Sequence, residues 1–255
     1  MTAAGLATAG AMAVVGWGSP LVAMAGLRAG GRIAKLVPQI EVTALLLVGV
    51  PVWARVLRAE GFEAWSRALA ATVGGPRRAV LDPAGAQLRI VIELLAAGGL
   101  VWIPACLLDG GPSLGEIARV RLGLLAFAGF GIGLGTWASA LWRGSGAALG
   151  ACLTVLVGMA ATPLLIAPVI AVAGARSELI QLSLLLNPWV FTAGLSGLDI
   201  LRTQWVYALS PLGSLEAPYP GLWVGLVTYA GAGMLLLLSS LRTLRASGLR
   251  RGGRG

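Results

Sequence analysis

Histidine is absent from this 255-residue chain, lysine occurs once and cysteine twice. Without imidazole, haem ligation by His, His-assisted nucleophiles and the common zinc sites are excluded, and with them the usual serine and zinc hydrolases. No metal-ligand set is read. Cys106 and Cys152 lie inside apolar runs and are read as small packing residues rather than a disulfide framework. The lone lysine stands in Gly30-Gly31-Arg32-Ile33-Ala34-Lys35, which does not make the Gly-x4-Gly-Lys-Ser/Thr loop that cradles phosphates. Any ATP hydrolysis that drives this protein therefore falls to another chain. Charge is scarce too, at 11% of residues against about 25% in a soluble domain.

What fills the space is apolar: 57% of residues are hydrophobic and the mean hydropathy is +0.86. The charged residues gather between long apolar runs, and a bilayer core of about 30 Å asks for a run of roughly 20 residues in a helix. The pattern predicts an all-α polytopic membrane protein, a single transmembrane domain over 1–255. Six spans are drawn at 4–27, 39–57, 88–108, 119–142, 147–174 and 221–241. The first is glycine-rich and broken by Gly18-Ser19-Pro20; the second carries Glu41 and ends on Trp53 and Arg55, where an interfacial indole and a snorkelling guanidinium fit.

Net charge is +9, but the basic residues are scattered between spans and concentrated in the tail, so they speak for membrane orientation and against nucleic acid. The tail 242–255 holds five arginines and no acid, which places the C-terminus in the cytoplasm. Counting back, 175–220 is an outer segment, 109–118 lies outside and 58–87 is a cytoplasmic loop. The stretch 28–38, with Arg28, Arg32 and Lys35, falls outside in this count and opposes the charge rule: either it is an exception or one of the first two apolar segments does not cross.

Asn187-Pro188 interrupts the apolar stretch 179–201. Proline lacks a backbone donor and disfavours helix in the residue before it, so one helix is expected to end there and another to begin at Pro188. A full crossing would also put the arginine tail outside. The segment 179–209 is therefore read as two short re-entrant helices in the outer leaflet before the last span.

Candidate functional residues follow from spacing. Phe62, Trp65, Leu69 and Val73 recur at helical intervals in the cytoplasmic loop and make one apolar face, which either rests on lipid headgroups or plugs a groove on a partner. Gly129 and Gly133 in the fourth span, and Gly150, Thr154, Gly158 and Thr162 in the fifth, stand four apart; such rows let helices pack closely or line a polar track. Arg89 and Glu93, at i and i+4 inside the third span, read as an intramembrane ion pair. Glu93 is taken as the most deeply placed ionisable group, with Glu41 a weaker case.

The stretch 100–146, LVWIPACLLDGGPSLGEIARVRLGLLAFAGFGIGLGTWASALWRGSG, together with LLLNPWVF at 184–191, SPLG, YPGLW and the terminal LRTLR, resembles permeases of the type-two ABC exporter class. The resemblance covers roughly 88–245. It implies six spans per half, a dimeric channel formed with a second permease (homo- or heterodimer), and a cytoplasmic helix between the second and third spans. That helix, here at 62–73, would dock on a separate ABC-type ATPase subunit carrying ATP and Mg. It further implies residence in the cell (inner) membrane and no enzymatic activity on this chain. The rival readings are a secondary transporter, which should show broken helices in symmetric halves, and an intramembrane enzyme, which needs a paired nucleophile and base.

The topology has a direct check. Introduced singly, Arg250→Cys is expected to react with impermeant thiol reagents only from the cytoplasm and Glu216→Cys only from outside; labelling of both from one side would refute the six-span count.

Overall fold

In the computed structural model the described residues are 37–54, 75–105, 112–142, 145–173, 177–198 and 219–252. Among them the chain is wholly helical, with no strand. The helices are α1 (Val37–Ala44) and α2 (Val50–Trp53), joined by a π turn at Leu45–Gly49, then α3 (Gly75–Ala105), α4 (Leu114–Leu141), α5 (Ser145–Ala173), α6 (Ser177–Leu186), α7 (Pro188–Leu195) and α8 (Leu222–Gly252). Leu114–Leu141, Gly146–Pro163 and Leu222–Leu244 are long and apolar enough to cross a membrane. The first expected span, the loop helix with Phe62, Trp65, Leu69 and Val73, and Cys106 lie outside the described residues.

Local chemistry sets the helix ends. α4 starts at Leu114, ahead of the expected 119, because Ser113 and Glu116 form a capping box: Ser113 Oγ accepts from Glu116 N–H at 3.2 Å and Glu116 Oε2 accepts from Ser113 N–H at 2.7 Å. α3 begins at Gly75, inside the stretch read as cytoplasmic loop, with Pro76 in its first turn, where a missing N–H costs nothing. At 187 the chain does break as the proline demands. Asn187 is extended and its Oδ1 accepts from Val190 N–H at 3.0 Å, so it caps α7. α7 ends on Gly197, whose φ of 66° closes a Schellman turn, Leu198 N–H donating to Ala193 O at 2.9 Å.

α4 is the central helix, and its glycines decide what approaches it. On one side a Cβ at Gly233 of α8 would stand 2.8 Å from Gly129 O, and one at Gly133 would collide with the Gly233 carbonyl, so two backbones touch directly. On another side the Trp53 ring lies against Gly131, and the Trp53 backbone and Cβ lie against Gly135. Phe127 and Phe130 pack on Tyr229 of α8, with centroids at 5.5 and 6.0 Å. Residue numbers rise together across both contacts: Glu41 meets Arg121 and Ala54 meets Ser139, while Tyr229 meets Phe127 and Gly233 meets Gly133. Hence α1–α2, α4 and α8 run parallel. α5 and α8 turn large apolar side chains outward, among them Leu153, Val157 and Leu165, and Trp223, Val227 and Leu235.

The α4–α8 contact predicts a contrast between two glycines of one helix. Gly233→Ala is expected to cost about 1–3 kcal/mol of unfolding free energy, because backbone cannot yield as a side chain does. Gly231→Ala, where an added methyl meets nothing within 4 Å, is expected to be neutral or stabilising by up to about 1 kcal/mol. Unfolding midpoints in detergent micelles compare the two.

Candidate functional site

Glu41 projects from the second turn of α1 and Arg121 from the second turn of α4, and their side chains meet at 2.8 Å, Arg121 Nη1 donating to Glu41 Oε1. Both are largely enclosed, with side-chain exposures of 11% and 15%. Glu41 Oε2 is buried and has no hydrogen bond among the described residues. Space for the pair comes from α3. A Cβ at Gly98 would lie 2.9 Å from Glu41 Oε1 and 3.2 Å from Arg121 Nη1, so any larger residue would push into the ion pair. Three helices thus converge on one buried charge pair, in surroundings where an ionisable group is costly and marks function by default.

The opposite face of α1 is tied to α7. Gln39, with its amide nitrogen toward Trp189 O and its oxygen toward Ala193 N–H, both at 3.0 Å, engages the α7 backbone. Trp189 Nε1 donates to Thr43 Oγ1 at 3.0 Å, and Thr43 Oγ1 donates to Gln39 O at 2.7 Å. Beyond Trp189 the seam continues to α5. Pro163 lacks the N–H that would reach Met159 O; Thr162 Oγ1 donates to that carbonyl at 2.6 Å and to Ser183 O of α6 at 3.1 Å. The next carbonyl, Ala160 O, accepts from Asn187 Nδ2 at 2.6 Å. On the far side of the break, Tyr229 OH donates to Leu185 O at 2.7 Å. The proline site in α5 and the α6–α7 break therefore satisfy each other's backbone, and polar groups of α1, α4, α5, α6 and α7 form one seam through an apolar bundle.

The expected residues divide accordingly. Asn187, Pro188 and Thr162 belong to the seam, and Gly129 and Gly133 to the α4–α8 contact. Gly150 and Gly158 face open space, and Thr154 is exposed with its hydroxyl bonded to Gly150 O at 2.9 Å; of the row on α5 only Thr162 meets another helix. Arg89 and Glu93 do pair, at 2.8 Å, but with side-chain exposures of 82% and 62%. Contrary to the expectation from sequence, the enclosed carboxylate is Glu41 and not Glu93. Arg121 stands near the head of a span, where a basic residue usually reads as an orientation signal. Glu41 and Arg121 were each legible as charges in apolar runs; their meeting was not. Cys152 is buried and free. Among the described residues no three of His, Cys, Asp and Glu gather in a metal-binding group.

Removing either partner of an enclosed ion pair costs about 3–5 kcal/mol. Glu41→Leu and Arg121→Met are each expected to lower the unfolding midpoint, and the double substitution to lower it by less than the two losses added together; strictly additive losses would show that the charges are not coupled.

Comparison with protein-family models, with curated proteins and with solved structures finds no significant match for this chain.

Proposed function

We propose that this chain is the membrane-spanning permease subunit of an ATP-driven exporter, crossing the inner membrane six times with a cytoplasmic C-terminus. A second permease would complete the translocation path, and a separate ATPase subunit would carry ATP and Mg. The parallel run of α1–α2, α4 and α8 carries the reading furthest, since the second, fourth and sixth of six alternating crossings must point the same way. Under this count the basic stretch 28–38 is an exception to the charge rule rather than a sign of a missing crossing. The hinged α6–α7 pair ahead of the last long helix supports the same reading, as does the lack of a phosphate loop on this chain. Re-entry of α6 and α7 from the outer leaflet is part of the proposal.

One observation favours a secondary transporter instead. The π turn and the Asn187 break interrupt two helices that touch through Thr43 and Trp189, and adjoining discontinuous helices near an intramembrane charge are a transporter feature.

The ATPase distinguishes the two. Purified alone, the chain is expected to hydrolyse no ATP, and in its native membrane to co-purify with a nucleotide-binding subunit. Phe62 and Trp65 are the docking anchors in this reading, with Leu69 and Val73 on the same face. Enclosed aromatic anchors contribute about 2 kcal/mol or more each, so Phe62→Ala with Trp65→Ala is expected to weaken the complex by several kcal/mol while membrane insertion is unchanged. A complex that survives the double substitution in a pull-down assigns the loop helix to lipid.

A further inference from the structure

Glu41 and Trp53 both engage α4, the first through Arg121 and the second at Gly131 and Gly135. Twelve residues separate them. At about 100° per residue a continuous α-helix would set the two side chains about 120° apart, so that one of them would miss α4. Between them lies the π turn Leu45–Gly49. Its i→i+5 bonding closes a wider turn than an α-helix does and takes up roughly one additional residue. That removes about 100° of rotation and leaves the two side chains about 20° apart, on one face, as their contacts require.

We infer that the π turn at Leu45–Gly49 is a register device: it stores one surplus residue in this helix so that the Glu41–Arg121 pair and the Trp53 contact close at the same time. The two ends of the helix are thereby coupled. At native length, winding the turn into regular α-helix swings Glu41 away from Arg121 while Trp53 keeps its place, or the reverse. Neither the charge pair nor the indole contact specifies this alone; the turn between them does. The inference holds for any activity of the chain and does not rest on the exporter reading.

The test is to remove the surplus. Deleting Val48 leaves eleven residues between the anchors' positions, which regular α-helix sets about 20° apart. The deletion variant is therefore expected to fold, with an unfolding midpoint within about 3 °C of the parent. Glu41→Leu is expected to lower that midpoint as much in the deletion background as in the parent, which reports the ion pair directly. Two controls carry the opposite expectation: insertion of one Ala after Val48, and deletion of Leu125 from α4, which has no π turn, should each lower the midpoint by more than about 10 °C or prevent folding. The inference is overturned if deletion of Val48 is as damaging as deletion of Leu125, if Glu41→Leu becomes silent in the deletion background, or if insertion is tolerated as well as deletion.

Discussion

How near another helix can come to α4 governs the arrangement of everything else. An apolar solvent supplies no hydrophobic force between helices, so their association rests on close packing and on polar groups that find partners within the protein. α4 answers with glycine on two sides. Toward α8 the backbones meet, and the Phe127, Phe130 and Tyr229 rings pack beside that contact; toward α2 the Trp53 ring lies on Gly131 and the Trp53 backbone on Gly135. Both contacts fix rotation as well as distance, because neither a bare backbone edge nor an indole laid on glycine has a second place to fit.

Once α4, α2 and α8 are placed, the remaining polar groups have to be satisfied from inside, since each unsatisfied one costs several kcal/mol away from water. Most manage this within one turn: Thr136, Ser139 and Ser240 bond to carbonyls four residues back. The exceptions lie at a proline within a helix and at a break between two helices. At Pro163 and at Asn187 carbonyls lose their helical donors, and the replacements come from Thr162, Asn187 and Tyr229. The proline site within α5 and the break at Asn187 face each other, Thr162 reaching Ser183 O and Asn187 reaching Ala160 O. The ion pair belongs to the same logic with higher stakes, since Gly98 had to surrender its side chain to admit it.

Features decided by the chain's own neighbours were legible in the sequence, and features decided by rotation about a helix axis were not. Pro188 dictates a break wherever it sits, and Asn187 before it is a natural cap, so the hinge was readable. The packing role of Gly133 was readable from its spacing with Gly129, yet the same spacing on α5 lines an open face; periodicity identifies a smooth helix side without saying what covers it. Arg89 and Glu93 were readable as a pair because they share a helix turn. Glu41 and Arg121 are eighty positions apart, and their meeting depends on a turn at Leu45–Gly49 whose one mark in the sequence is indirect: Pro51 just beyond it lacks the N–H that an α-helix would direct to Leu47 O. The early start of α3 was missed because glycine and proline at 75 and 76 read as loop until the proline is seen to occupy a first helical turn.

α8 continues without interruption for 31 residues, from Leu222 to Gly252, which at 1.5 Å per residue is about 46 Å of rod. The hydrocarbon of a bilayer takes up about 30 Å of that. The remainder, starting near Arg242, continues as helix, so the arginine positions along it rise by about 1.5 Å per residue from the apolar stretch. Their charge also sits at the negative end of the helix macrodipole, where cations are favoured. The rod therefore works as a depth gauge: if its charged end is held among the phosphates, sliding α8 along the membrane normal would pull arginines out of the headgroups at one extreme and drag them into hydrocarbon at the other. Because α8 touches α4 backbone to backbone, a bundle held in this way would share its depth with α8.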